Sequence, residues 1–229
     1  MSKLIIYIKF VQNYFLIMKI KFAFLSLFIS VVSFSQYNIN SGGTNYTENF
    51  NALTNGAWSN GTTVTGWYAK TTLTSSITTY AANTGTSTPA GLYAFGVAGT
   101  NAVTERALGF VPSNAYTGAA GSGTGYIGWR LKNNTGSTIS SITITWTGEQ
   151  WRKENNASAH TLNLMYQTGS TVTDLTAGSW TSCSSTFTSP IIGATTATAL
   201  DGNAMANRTQ NITATITITL AAGDEIMLR

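Results

Sequence analysis

Few residues in this 229-residue chain could perform covalent chemistry. The sole imidazole is His160 and the sole thiol is Cys183, and no Gly-x-Ser-x-Gly turn presents a nucleophile. Acyl transfer through Ser or Cys needs a base within hydrogen-bond reach. Metal-dependent hydrolysis needs at least a pair of His or a cluster of Cys. Neither set is present, so His160 reads as a surface or turn residue and Cys183 as a half-buried strand residue. Glycoside hydrolysis needs only two carboxylates. The closest pair, Glu149 and Glu154, is split by a turn, and the E-x-D-x-x-E array of sandwich glucanases is missing. The residue types therefore argue for a non-catalytic protein.

Binding chemistry is better supplied. The chain holds 6 Trp and 10 Tyr, and exposed aromatic rings stack on sugar faces while Asn, Gln and Arg bond the hydroxyls. Trp58 in the turn-rich stretch 55–61, Tyr68 beside Trp67, and Tyr80 are the candidate platforms. Trp146 falls in phase with Ile142 and Ile144 and is assigned to the core, as are Trp67 and Trp129. Glu48, with Asn49 and Asn51, could form the early half of a structural calcium site. Calcium takes about six to eight oxygens including carboxylates, and Asp201-Gly202-Asn203 is only a fragment of a calcium loop. No other cofactor is expected. Charged residues are just 9% of the chain, so Glu149 with Arg152, and Asp201 with Arg208, are expected to staple loops, Arg forking across a carboxylate.

The elements that must position these residues are strands. Residues 139–147 (ISSITITWT), 161–167 (TLNLMYQ) and 211–220 (NITATITITL) alternate apolar and polar, the last with a ladder of Thr213, Thr215, Thr217 and Thr219. Period two with one polar face marks antiparallel strands covered on one side. Shorter candidates are 64–70, 92–97, 106–111, 126–132, 180–187 and 225–228. Asn-Gly pairs and Gly/Ser/Thr runs separate them. About nine strands and almost no helix-forming segments predict an all-β fold, an antiparallel β-sandwich of jelly-roll type. Because the sequence stops inside a strand-like segment, the sandwich is expected to lack its last strand and to leave an open edge there.

The N-terminal 36 residues read differently. Lys19 and Lys21 precede an apolar run, residues 22–32, that is shorter than the roughly eighteen residues of a membrane span. Ser33 and Ser35 then place small residues before Gln36, as in a cleaved secretion leader. Residues 18–36 are thus expected to be a signal peptide, 1–17 an upstream extension, and 37–229 one secreted or cell-surface domain. Membrane contact would be limited to that leader. Four of the twelve bases (Lys3, Lys9, Lys19, Lys21) and none of the eight acids lie in this segment, so residues 37–229 carry eight of each. A neutral domain without Lys/Arg clusters is not expected to bind nucleic acid. With one Cys, an intramolecular disulfide is excluded.

Four segments, Glu48 to Leu53 (ENFNAL), 105–109 (ERALG), 147–152 (TGEQWR) and 200–208 (LDGNAMANR), together resemble a β-sandwich module of large secreted Bacteroidetes surface proteins with type IX secretion tails. Similar modules occur beside extracellular nuclease domains. The resemblance spans residues 46–229, and the GEQWR and LDGNxxxNR pieces are its most specific parts. It implies a mostly non-catalytic sandwich whose ligands are largely unassigned, and together with the aromatic candidates the expected role is adhesion or recognition of an extracellular glycan or other cell-surface component. The alternatives are an accessory domain of a larger secreted hydrolase or nuclease, or a structural spacer.

Overall fold

The computed structural model describes residues 35–73, 76–96, 105–112, 124–155, 157–193 and 196–229. The expected extension and all but the last two residues of the expected leader lie outside them. The described residues form strands, turns and one 3₁₀ turn (Met205–Asn207), with no α-helix among them.

The first layer is built around β7 (Gly125–Asn133). On one side β7 pairs antiparallel with β14 (Glu225–Leu228), followed by β10 (Thr161–Gly169) and the edge strand β11 (Thr181–Thr188). Its other side is shared end to end by β3 (Trp67–Thr71), antiparallel, and β1 (Tyr37–Ile39), parallel. The second layer contains a four-stranded sheet, β2 (Gly56–Ala57), β4 (Thr79–Asn83), β5 (Gly91–Phe95) and β6 (Ala107–Val111). It also contains a long two-stranded ribbon of β8 (Ile139–Glu149) and β13 (Arg208–Leu220). A short pair, β9 (Arg152–Lys153) with β12 (Thr198–Ala199), adjoins the ribbon's charged end.

The layers meet in two apolar clusters. Ala69 of β3 packs with Leu92 and Ala94 of β5 and with Trp58, Leu53 and Ile77 from the connecting loops. Leu131, Ile226 and Leu228 of the first sheet pack against Ile216 and Leu220 of the ribbon, flanked by Ile142, Ile144, Leu164 and Tyr166. Alternation explains this: the isoleucines of β8 and β13 point inward while their threonines remain exposed. Each fully buried aliphatic side chain stabilises the fold by about 1.5–3 kcal/mol. The fold is therefore an all-β sandwich. Parallel pairing at β1–β7 and β4–β5 departs from the wholly antiparallel jelly-roll pattern.

Two expectations change. The terminal strand does not border an open edge: β14 is bonded on both sides, to β10 and β7, and all four of its residues are buried. Its outward face is covered too. Met227 packs with Tyr68, Val172 and Leu175, and Glu225 forms a buried two-pronged ion pair with Arg130 at 2.7 and 2.9 Å. The Val172 N–H also donates to Glu225 (2.8 Å), and Arg130 donates to the Tyr68 hydroxyl (3.3 Å). Burial disfavours the Arg130 cation, but these partners outweigh it and raise its pKa. Leu162, in phase with Leu164, is nevertheless 56% exposed. The β10–β11 register shifts there, Asn163 facing Thr186 and Met165 facing Ser182, so the extra residues lie on β11, where Ser184 takes a positive φ of 53°.

Candidate functional site

Two of the three aromatic platforms inferred from sequence, Trp58 and Tyr68, are buried in the core. Trp58 is 4% exposed and Tyr68 2%, because each belongs to an apolar cluster. The Trp58 indole N–H donates to Asn60 Oδ1 (2.7 Å), and the Tyr68 hydroxyl donates to the Ser35 carbonyl (3.3 Å). Tyr80 is half-buried and meets Trp58 edge-on, ring centroids 6.0 Å apart. A sugar cannot stack on a ring face already covered by protein. Trp67 and Trp129 form a half-buried stack (5.9 Å), which Tyr46 extends at 4.4 Å from Trp129.

Within the expected calcium half-site, the oxygens of Glu48 and Asn49 are committed to their own loop. Glu48 accepts from the Phe50 N–H (2.7 Å) and the Tyr46 hydroxyl (3.0 Å), and Asn49 accepts from the Asn51 N–H (3.0 Å). These bonds hold Phe50 at a positive φ of 55°. Among the described residues no group of three or more His, Cys, Asp or Glu is placed to hold a metal.

The charged motifs converge, but not in the expected pairs. Arg152 bonds Glu154 and the Gly85 carbonyl rather than Glu149. Asp201 does not staple Arg208. Its carboxylate accepts from the Asn203 N–H (3.0 Å), and its carbonyl accepts from the Asn207 amide (2.7 Å). Glu149 instead stands opposite Arg208 across the ribbon and accepts from the Trp151 indole N–H at 2.8 Å. Burial pushes the Glu149 carboxyl up to about 7; the neighbouring Glu105 adds to the shift, and Trp151 and Arg208 oppose it. Gly202 lies against the Trp151 ring, where a Cβ would collide. The 105–109, 147–152 and 200–208 segments thus meet around one buried tryptophan. Glu149 and Glu154 do not form a facing acid pair, since Glu154 is held in solvent by Arg152.

His160 is exposed at the start of β10, its backbone N–H donating to Ser189 Oγ (2.9 Å). Cys183 is half-buried on β11, and burial raises its thiol pKa.

An accessible polar feature lies at the opposite end of the ribbon. A shallow depression of about 500 Å³ is lined by Asn40, Ser41, Thr135, Ser137, Ser140 and Ser141, together with Gly42, Thr138 and Ile139. No lining residue is charged. Asn133, 0% exposed, shapes one wall. Its Oδ1 accepts from the N–H (3.1 Å) and hydroxyl (2.8 Å) of Thr135, and its amide donates to the carbonyls of Ser137 (2.7 Å) and Leu220 (2.8 Å). Gly136 turns this wall at a φ of +76°. The opposite wall is braced by the Ser41–Thr44 hydroxyl pair (2.7 Å) and by the Asn134 N–H bond to the Ile39 carbonyl (2.8 Å). In the sequence, 134–137 (NTGS) reads as a turn and nothing marks Asn133. The available signal was a short Asn/Thr/Gly/Ser turn ahead of the most regular strand in the chain.

Comparison of the chain with protein-family models, with curated proteins and with solved structures returns no match.

Proposed function

We propose that this chain is a secreted, non-catalytic recognition module that binds neutral glycans in the depression at the start of β8. The observation carrying this reading is the lining itself: Ser, Thr and Asn side chains on preformed turns, with no charge among them. Each hydroxyl offers one donor and two acceptor positions, and each amide offers both kinds, which complements a polyhydroxylated, uncharged ligand. The wall is ordered by buried Asn133 before any ligand arrives, which lowers the entropic cost of binding. The leader-like N-terminus and the resemblance to secreted surface modules support the extracellular setting. They also support a role in adhesion.

Affinity electrophoresis through gels containing soluble neutral polysaccharides (xylan, glucomannan, mixed-linkage glucan, laminarin) tests this directly. At least one polymer should retard the protein, and Ser140→Arg, which puts bulk and charge at the lining, should abolish the retardation. Free migration through every gel, or retardation that Ser140→Arg leaves unchanged, contradicts the proposal.

A further inference from the structure

We infer that the exposed face of the β8–β13 ribbon continues the depression as an extended subsite for a linear, uncharged polysaccharide chain; this rests on the glycan reading above. Ser141 belongs to both features. It lines the depression, and it begins the row Ser141, Thr143, Thr145 on β8 that stands opposite Thr217, Thr215 and Thr213 on β13. All six side chains are exposed.

The row is already ordered. Thr143 and Thr215 share a hydroxyl hydrogen bond of 3.0 Å, and Thr145 and Thr213 share one of 3.1 Å. The Thr143–Thr215 pair uses one donor and one acceptor and so keeps a hydroxyl hydrogen for a ligand, whereas Thr213 gives its hydrogen to the Asn211 carbonyl (3.1 Å), so the Thr145–Thr213 pair offers acceptor lone pairs. The dimensions suit one chain: residues 141–147 extend about 20 Å along the strand, and the two strands are only about 5 Å apart. The charge suits a neutral polymer, because residues 141–147 and 213–219 contain no Asp, Glu, Lys or Arg. An anionic polymer would need basic partners, and a protein or membrane partner would need apolar area. The row has a definite far end. Gly148 is buried against Phe187, and the β13 register shifts between Thr209 and Ile212, where Asn211 takes a positive φ of 57°.

Isothermal titration with cellobiose, cellotetraose and cellohexaose, and with the laminari-, xylo- and manno-oligosaccharides of the same lengths, tests the subsite. Affinity should rise roughly tenfold or more from disaccharide to hexasaccharide in the responsive series, as one or two further hydrogen bonds form. Thr145→Val with Thr213→Val keeps β-branched side chains. It should leave disaccharide affinity intact and remove most of the rise; Thr143→Val with Thr215→Val, checked by circular dichroism, is the independent second pair. Disaccharide binding with no length dependence, or a rise that both variant pairs retain, overturns the subsite but leaves the depression reading standing. Binding of polygalacturonate in place of every neutral sugar, or of no sugar at all, overturns both.

Discussion

The two ends of the β8–β13 ribbon differ in every property that governs recognition. At one end Glu149, Arg208 and Glu105 gather around buried Trp151, and the polar groups are turned toward one another. At the other end, Ser, Thr and Asn line an open depression with no charge at all. The charged end joins elements that are far apart in sequence. The β6 lead-in supplies Glu105, the end of β8 supplies Glu149, and the start of β13 supplies Arg208. The lesson is that rare charges in a charge-poor sandwich are used to assemble it. On the reading proposed above, recognition falls to uncharged groups that are jointly ordered.

The largest test of this contrast is Trp151→Ala. Truncating a buried tryptophan costs about 3–5 kcal/mol, and here it also strips Glu149 of its donor. Urea unfolding should show a loss of that order, whereas a loss below about 1 kcal/mol would mean the charged end is not a structural joint. The pH dependence sharpens the same point. Because the folded-state pKa of Glu149 lies at about 7, above its usual 4.5, the folded state holds a proton that the unfolded chain releases between these values. Stability from this group is therefore full below about 4.5 and is lost as pH rises through about 7. Glu149→Gln should flatten the stability profile across that window, and an unchanged slope would assign it to another group.

Smaller effects are expected at the neutral end. Asn133→Ala leaves buried carbonyls without donors, so about 1–3 kcal/mol should be lost. It should also abolish glycan retardation, because the Thr135–Ser137 wall relaxes. Retained binding with lowered stability would separate the turn from the site. Thr145→Val is the mildest change. Thermal melts should place it within about 0.5 kcal/mol of the parent, and a larger loss would make the threonine row a structural ladder.

The fold was legible because alternation is a strong signal. The three segments read from period two correspond to β8, β10 and β13, and the six shorter candidates overlap β3, β5, β6, β7, β11 and β14. Of the five missed strands, β1, β2, β9 and β12 are two or three residues long, too short to establish a period, and β4 (TYAAN) shows no apolar–polar alternation. Which charges pair was not legible. Glu149 and Arg152 are neighbours in sequence, yet extended backbone sends successive side chains to opposite faces, and Glu149 met the residue across the ribbon instead. Burial of Trp58 and Tyr68 was equally hidden, since an aromatic residue in a turn or on a strand can face either way until both layers are known. Asn133 escaped notice because its role depends on carbonyls at Leu220 and Ala221, which only the packed ribbon delivers.

The most direct test is residue-resolved: backbone amide NMR shifts recorded while the labelled protein is titrated with neutral hexasaccharides. Perturbations concentrated at residues 40–42, 135–147 and 213–217, with Glu105, Glu149 and Trp151 unmoved, are the predicted result. Perturbations centred on Glu149 and Trp151, or none with any neutral sugar, would contradict the assignment of recognition to the uncharged end of the ribbon.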